Sequence, residues 1–347
     1  MTRASSRRTV AALGEFELIK LIQSSIATSN LPSPYGIGDD AAILRPSPGY
    51  EWLTSKDLLI EGIHFDPSLS SYQDIGYKAA AVNVSDIAAM GGIPLYLLLG
   101  LAIPPSTPVL NIQNLYRGLN KLCKEYEIKL IGGDTTASRS DICLSLTIIG
   151  KIRSKQALCR GGAKVGDLIY VTGTLGDSGA GLRLLRQTAH STTKQLPKSV
   201  IRFLIKRHLH PTPPVQFSHL LAMRQLATSA IDISDGLSGD IRHICQASHV
   251  GALIQGPQIP RSTQCVQYLN HDDHSFIDLA LHSGEDYELL FTVSPNKQEP
   301  LRRIATRLGQ HISQIGTIQP YTKKIYLQQI DGSRIRMIKQ SYDHFYE

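Results

Sequence analysis

Apolar and polar positions in this chain recur with two periods, and the switches between them mark most of its elements. Over Glu15–Ser29, Phe16, Ile19, Leu21, Ile22 and Ile26 form one apolar face, which predicts an amphipathic helix. A Pro/Gly-rich loop follows, Leu31-Pro-Ser-Pro-Tyr-Gly-Ile-Gly-Asp-Asp40, then short strands at Ala41–Leu44 and Glu51–Ser55. A long helix is expected over Ser71–Met90, stopping at Gly91-Gly92. Tyr96–Ile103 reads as an apolar strand, Pro108–Tyr126 as a helix, and Ile128–Ile131 as a strand ending at Gly132-Gly133. Leu144–Ile149 is another strand. Beyond a basic, Gly-rich segment, Lys151–Asp167, we expect a strand at Leu168–Thr172, a helix at Ser178–Gln187 and a loop at Thr188–Lys198. Strands and helices alternate to the end, which predicts a mixed α/β or α+β class. No internal repeat or low-complexity tract interrupts the pattern.

A chain of 347 residues exceeds what one compact core usually takes, so two domains are expected, divided near Lys151. Residues 1–13 read as a disordered tail, 14–150 as one domain and 151–347 as the other. No run approaches 18 uninterrupted apolar residues, so no membrane-spanning helix and no membrane partner are expected. The N-terminal MTRASSRRTV lacks the apolar core of a signal peptide. Five dispersed cysteines without a CxxC pair argue against a zinc site or a disulfide framework, and fit a reducing cytoplasm. The formal charge of +7 is spread along the chain without a nucleic-acid-binding motif, so no nucleic-acid partner is expected; it suits a protein that handles polyphosphates.

The chemistry concentrates in acidic residues set among glycines or apolar residues. Asp39-Asp40 follow Gly36-Ile37-Gly38, Asp57 follows Trp52-Leu53, and Asp134 follows Ile131-Gly-Gly. Asp232 and Asp235 lie in Ala-Ile-Asp-Ile-Ser-Asp-Gly, and Glu285-Asp286 follow Ser283-Gly284. Any one of them could be an Asp bonding a nearby turn N–H. As a set of loop acids they suggest convergence on one site, and carboxylates of this kind suit magnesium. Asp86 is the sharpest case, because it falls on the stripe Ile75, Ala79, Val82, Ala89 of the long helix. A carboxylate on a buried stripe needs a cation or several donors; a helix end or an Arg is the alternative to a metal. No GxxxxGK[ST] loop is present, so phosphate would be held by the Gly38 and Gly132-Gly133 loops or by Arg160-Gly161-Gly162.

These motifs resemble the thiamine-monophosphate kinase family. The resemblance rests on Gly36-Ile-Gly-Asp-Asp-Ala, Asp57-Leu-Leu-Ile-Glu-Gly-Ile-His-Phe65 and Tyr77-Lys-Ala-Ala-Ala-Val-Asn-Val-Ser-Asp-Ile-Ala-Ala-Met-Gly91. It continues through Ile131-Gly-Gly-Asp-Thr-Thr136, Val171-Thr-Gly-Thr-Leu-Gly-Asp177 and Ala230-Ile-Asp-Ile-Ser-Asp-Gly-Leu237, then Ser283-Gly-Glu-Asp-Tyr-Glu-Leu289 and Tyr342-Asp-His-Phe345. The likeness runs from about Gly14 to the C-terminus. It implies the fold of aminoimidazole-ribonucleotide synthetase: an N-terminal α+β domain with a mixed sheet that forms a homodimer, and a C-terminal α/β domain. It further implies ATP-dependent phosphorylation of thiamine monophosphate to thiamine diphosphate, with several Mg2+ ions; because that acceptor is already largely dianionic at neutral pH, no catalytic base is assigned. By motif position, Asp40, Ser55, Asp57, Asp86, Asp134, Asp232 and Asp235 would bind metal. Tyr116, Gly133, Asp134, Arg160 and Ser234 would contact ATP, and His64, Glu285 and Tyr342 the thiamine phosphate. One departure stands out: Lys56 precedes Asp57 where the family usually has Thr. The alternatives are another enzyme of the same superfamily, or a nucleotide- or thiamine-binding protein that has lost catalysis at Lys56. Selenophosphate synthetases typically carry a Cys or selenocysteine near the N-terminus, whereas the first Cys here is Cys123.

Overall fold

The computed structural model describes Leu21, Ser24 and residues 48–187, 196–271, 275–321 and 324–337. The expected Ala41–Leu44 strand, most of the Glu15–Ser29 helix, and Asp39, Asp40 and Tyr342 lie outside the described residues. The chain forms two compact units: Met1–Ile87 with Ile93–Ser154, and Ala88–Gly92 with Lys155–Glu347.

The first unit builds a four-stranded mixed sheet from β1 (Tyr50–Ile60), β2 (Ile93–Ile103), β3 (Lys129–Ala137) and β4 (Cys143–Arg153), in the order β1-β4-β2-β3. Only the β2–β3 pair is parallel. Among the described residues the unit also holds helices α1 (Tyr72–Ala89, its last two residues falling in the second unit) and α2 (Val109–Glu125). They meet backbone to backbone, since a Cβ on Gly76 would lie 1.9 Å from the Leu115 carbonyl oxygen and one on Gly118 1.8 Å from that of Gln73. Leu97, Leu99 and Leu101 of β2 and Leu144, Leu146 and Ile148 of β4 fill one face of the sheet, each such side chain contributing about 1.5–3 kcal/mol of burial.

Two expectations need correction here. The first strand runs to Ile60, so Asp57 lies within it instead of after it. Similarly, β3 continues through Gly132-Gly133 to Ala137, so these glycines form no loop and Asp134 is a strand residue. Gly133 is there for close approach: its Cβ would lie 2.0 Å from the Leu99 carbonyl oxygen.

The second unit is built on a seven-stranded sheet, ordered β11-β10-β7-β9-β5-β8-β6. Its strands are β5 (Leu168–Thr172), β6 (Ala227–Asp232), β7 (Gly251–Gln255), β8 (Leu289–Val293), β9 (Ile312–Gln319), β10 (Ile325–Gln328) and β11 (Arg334–Arg336). Only β10–β7 is a parallel pair. The helices are α3 (Asp177–Gln187), α4 (Lys198–Leu209), α5 (Val215–Met223), α6 (Leu237–Ser248), α7 (Thr263–Leu269), α8 (Phe276–His282) and α9 (Gln298–Leu308). No helix among the described residues is long and apolar enough to cross a membrane.

An ionic cluster ties α4 to the loops of this unit. Arg207 donates to Glu288 at 2.8 Å and lies 3.7 Å from Asp177. Thr172 Oγ1 donates to the other Glu288 oxygen at 2.6 Å, and Thr174 Oγ1 to Asp177 at 2.6 Å. Asp286, 2% exposed, accepts from the backbone N–H groups of Gly176 (2.8 Å) and Ser178 (3.3 Å).

Two tests follow from this packing. Gly118→Ala should lower stability by about 1–3 kcal/mol, because α2 must back away from α1; an unchanged melting temperature would contradict the close approach. Burial pushes the Asp286 carboxyl up to about 7, against about 4 in an unfolded chain. The folded state thus holds this proton more tightly, so the group's contribution is full below about pH 4 and is lost as pH rises towards 7. Asp286→Asn should therefore gain on the wild type, by roughly 1–3 kcal/mol in urea unfolding, between pH 5 and pH 7.5. An identical free-energy difference at both pH values would show the carboxyl already ionised.

Candidate active site

In the first unit, strand alternation sets the geometry. Leu53, Ser55, Asp57 and Leu59 share the inner face of β1, while Trp52, Thr54, Lys56 and Leu58 are exposed on the other. The Ser55 hydroxyl donates a short hydrogen bond to Asp86 Oδ2 on α1, and one Asp57 carboxylate oxygen is buried. Ser55 thus bonds Asp86, and Asp57 lies two residues along the same face of β1.

The reason given for Asp86 needs correction. From Ile75 to Ala89, α1 is buried all round except at Val82 and Asp86, which are half-buried. Asp86 thus lies on the helix's one partly open line, not on a buried stripe. It also sits in the last helical turn, which contains no basic residue. There the helix dipole disfavours an anion by about 0.3–1 kcal/mol. A carboxylate kept in that position fits a nearby cation.

Asp134 stands apart. It pairs across the sheet with Gly100, and Gly100 with Ser145, while Asp57 pairs with Leu146. The two acids lie on opposite edge strands, three strand spacings or roughly 14 Å apart, so within one chain they cannot share an ion. Asp134 is exposed and accepts the Thr135 backbone N–H at 2.9 Å. Tyr116 is 4% exposed in the α2 core, and burial raises its hydroxyl pKa.

His64 sits in the tight turn after β1, where Nδ1 accepts the Ile60 backbone N–H at 3.0 Å. In the neutral ring that fixes the proton on Nε2, a donor suited to an anion. Glu61 braces the turn by accepting the Ile142 N–H at 3.0 Å.

The second unit gathers its acids at the end of β6. Asp232 closes the strand and is 7% exposed; Ser234 and Asp235 follow in the loop and are half-buried. This loop is zipped by backbone hydrogen bonds to the Gly284–Glu288 segment: Glu285 N–H to Ser234 O at 2.7 Å, Tyr287 N–H to Ile233 O at 2.9 Å, and Ile233 N–H to Glu288 O at 2.8 Å. Gly284, at φ 65°, permits the approach, since a Cβ would lie 2.4 Å from the Ser234 carbonyl oxygen. Glu285 and Tyr287 themselves adopt positive φ, 55° and 49°, a strained state found at sites that need a fixed geometry. The Glu285 carboxylate lies 3.5 Å from His208 Nδ1, which also meets Ser178 Oγ at 3.1 Å.

Two further corrections belong here. Asp286 is no site acid; it is a buried anchor for the Gly176–Ser178 backbone. The amides after Arg160-Gly161 are also committed, because Gly162 and Ala163 both donate to Ser248 Oγ at 3.1 Å. The exposed Arg160 guanidinium remains there for an anion.

One residue the motif reading missed is Asp240, 1% exposed in the first turn of α6. Burial, then the Asp232 and Asp235 charges, push its carboxyl up to about 8, opposed by an Asp235 backbone hydrogen bond and by Arg160. The spacing Asp235-x4-Asp240-x2-His243 carried the signal.

Comparison with known proteins fits this arrangement. Residues 38–152 match the family model for AIR synthase related protein, N-terminal domain, and residues 164–326 that for its C-terminal domain. The thiamine-monophosphate kinase of Bacillus subtilis (strain 168) is 36% identical over 334 residues, 96% of this chain and 100% of its own length. The crystal structure of thiamine-monophosphate kinase from Stenotrophomonas maltophilia K279a is 36% identical, with a TM-score of 0.79 over 92% of this chain and 97% of that one. A structure described as AaThiL complexed with AMPPCP and TMP is 32% identical, with a TM-score of 0.75 over 96% and 97%. On this evidence the chain belongs to the thiamine-monophosphate kinase family of the AIR synthase related proteins.

Proposed function

We propose that this chain transfers the terminal phosphoryl group of ATP directly, in line, to the phosphate of thiamine monophosphate, giving thiamine diphosphate. The observation that carries the reading is the Ser55–Asp86 bond, with Asp57 on the same face of β1 as Ser55 and with Asp86 a carboxylate that its own helix disfavours. A relative of the same fold has been solved with AMPPCP and TMP, which supports ATP and thiamine monophosphate as the substrates here.

The acceptor is a phosphate monoester with a second pKa of about 6, so it is largely dianionic at neutral pH and needs no general base. The difficulty is bringing two anions together, and the protein's work is positioning and charge neutralisation. Bound Mg2+ would bridge phosphate oxygens and offset their charge. Ser55, Asp57, Asp86 and Asp134 would hold it in the first unit, and Asp232 and Asp235 in the second; Asp40, outside the described residues, belongs to the same expectation. The wide spacing of Asp57 and Asp134 supports several ions over one. Arg160, Ser234, Tyr116 and Gly133 are assigned to ATP. The His64 Nε2–H suits the substrate phosphate, and the braced Glu285 carboxylate suits the cationic thiazolium; Tyr342 would add an aromatic face. Dispersed thiols fit a cytoplasmic setting.

Lys56 does not undermine this reading. Its side chain lies on the face of β1 opposite Ser55 and Asp57, so only its backbone faces their group. That outer face also carries Trp52 (39% exposed), Leu58 (53%) and half-buried Leu98 and Ile149. We assign it to the contact with a second copy of the chain, which would cover Asp134 as well.

Purified protein with ATP, Mg2+ and thiamine monophosphate should form thiamine diphosphate, detected by chromatography, and form none without Mg2+. Folded protein that binds ATP yet makes no product would sink the kinase reading. Asp57→Asn and Asp86→Asn should each lower turnover about 100-fold or more with little change in melting temperature; Lys56→Thr should change it by less than about threefold. Light scattering should give a dimer mass, and Leu58→Glu should give the monomer. A monomeric wild-type chain would overturn the assignment of the outer face.

A further inference from the structure

We propose that Asp235, Asp240 and His243 form a divalent-cation site with mixed oxygen and nitrogen donors, suited to a borderline metal ion such as Mn2+ or Zn2+. One ligand atom from each residue lies within 4.8 Å of the others. Asp240 and His243 stand three residues apart on α6, on one helix face, the spacing by which carboxylate–histidine pairs bind metals in helical bundles. Asp235 reaches the same point from the loop before the helix.

The observation that calls for a ligand is Asp240 Oδ2, which is buried and has no hydrogen-bond partner within the protein. An unsatisfied buried carboxylate oxygen costs about 1–3 kcal/mol or more, and neither neighbouring carboxylate can donate to it when ionised. A cation supplies what is missing. Metal–ligand bonds of about 2.0–2.2 Å set ligand atoms roughly 3–4 Å apart, so closure needs side-chain shifts of about an ångström. Exposed His243 leaves an entry path from solvent.

The imidazole separates this site from the all-oxygen groups assigned to Mg2+. Nitrogen donors favour Mn2+, and Zn2+ more strongly, along the usual affinity order. Asp235 is shared with the Mg2+ set, but the inference stands on the α6 geometry and not on the kinase reading.

The test uses nucleotide-free protein titrated with Mn2+, Zn2+ and Mg2+ separately, by calorimetry and, for Mn2+, by pulsed electron paramagnetic resonance. The wild type should show nitrogen coupling to bound Mn2+, lost in His243→Ala. In that variant Zn2+ and Mn2+ should bind at least about tenfold more weakly, while Mg2+ affinity changes less than about twofold. Asp240→Asn should weaken all three. Unchanged Mn2+ and Zn2+ affinity in His243→Ala, or no nitrogen coupling in the wild type, would overturn the site. If Asp240→Asn fails to fold, His243→Ala decides alone, since its side chain is exposed. Product formation with Mg2+ in the same wild-type preparation reads out the kinase assignment separately.

Discussion

Arg207 lies against Asp177 and Glu288, with Asp286 close enough to bind its charge more tightly. Collecting three carboxylates around one guanidinium is expensive away from water, and such clusters seldom add net stability over an apolar alternative. What this one does is fix position. Asp286 lies within the Gly284–Glu288 loop, Glu288 ends it, and Asp177 opens α3, so a single side chain on α4 sets the loop from behind. From the front the same loop is zipped to Ile233 and Ser234. Glu285 can hold a positive φ only because its neighbours are clamped on both sides.

The two units use opposite means to the same end. In the first, donors are placed by the alternation of a strand and the last turn of a helix, so Ser55 meets Asp86, and Asp57 shares its strand face, with little backbone strain. In the second, donors come from a strand end and a helix start, where left-handed residues and tight glycines set the angle. Both leave carboxylates where their own surroundings disfavour them: Asp86 by the helix dipole, Asp240 by burial beside Asp232 and Asp235. A bound cation would relieve both penalties, and sites built this way tie metal affinity to fold.

Much of this could be read from the chain. The bounds of α1, α2 and β5 fall within a residue or two of expectation, because Gly91-Gly92, Pro108 and Gly173 punctuate the chain at their ends. The glycines misled. Gly132-Gly133 look like a turn, yet both sit mid-strand, and Gly133 is there to admit the Leu99 carbonyl, a tertiary demand with no local signature. Asp86 was found through a stripe that does not exist, since a helix buried on nearly every side has no informative period. Glu285-Asp286 were read as a pair although the strained backbone sends one outward and the other into the core.

Asp240 and His243 were missed because a single Asp inside a helical start looks like dipole compensation, which is the commoner reason for an acid there. That explanation fails on one count. A carboxylate that only complements helix N–H groups stays at the surface, whereas Asp240 is almost wholly buried and leaves Oδ2 unmatched. Folding has removed that oxygen from water without giving it a hydrogen-bond donor. One ligand atom each of Asp235 and His243 lies within 4.8 Å of one on Asp240, where a shared cation would sit.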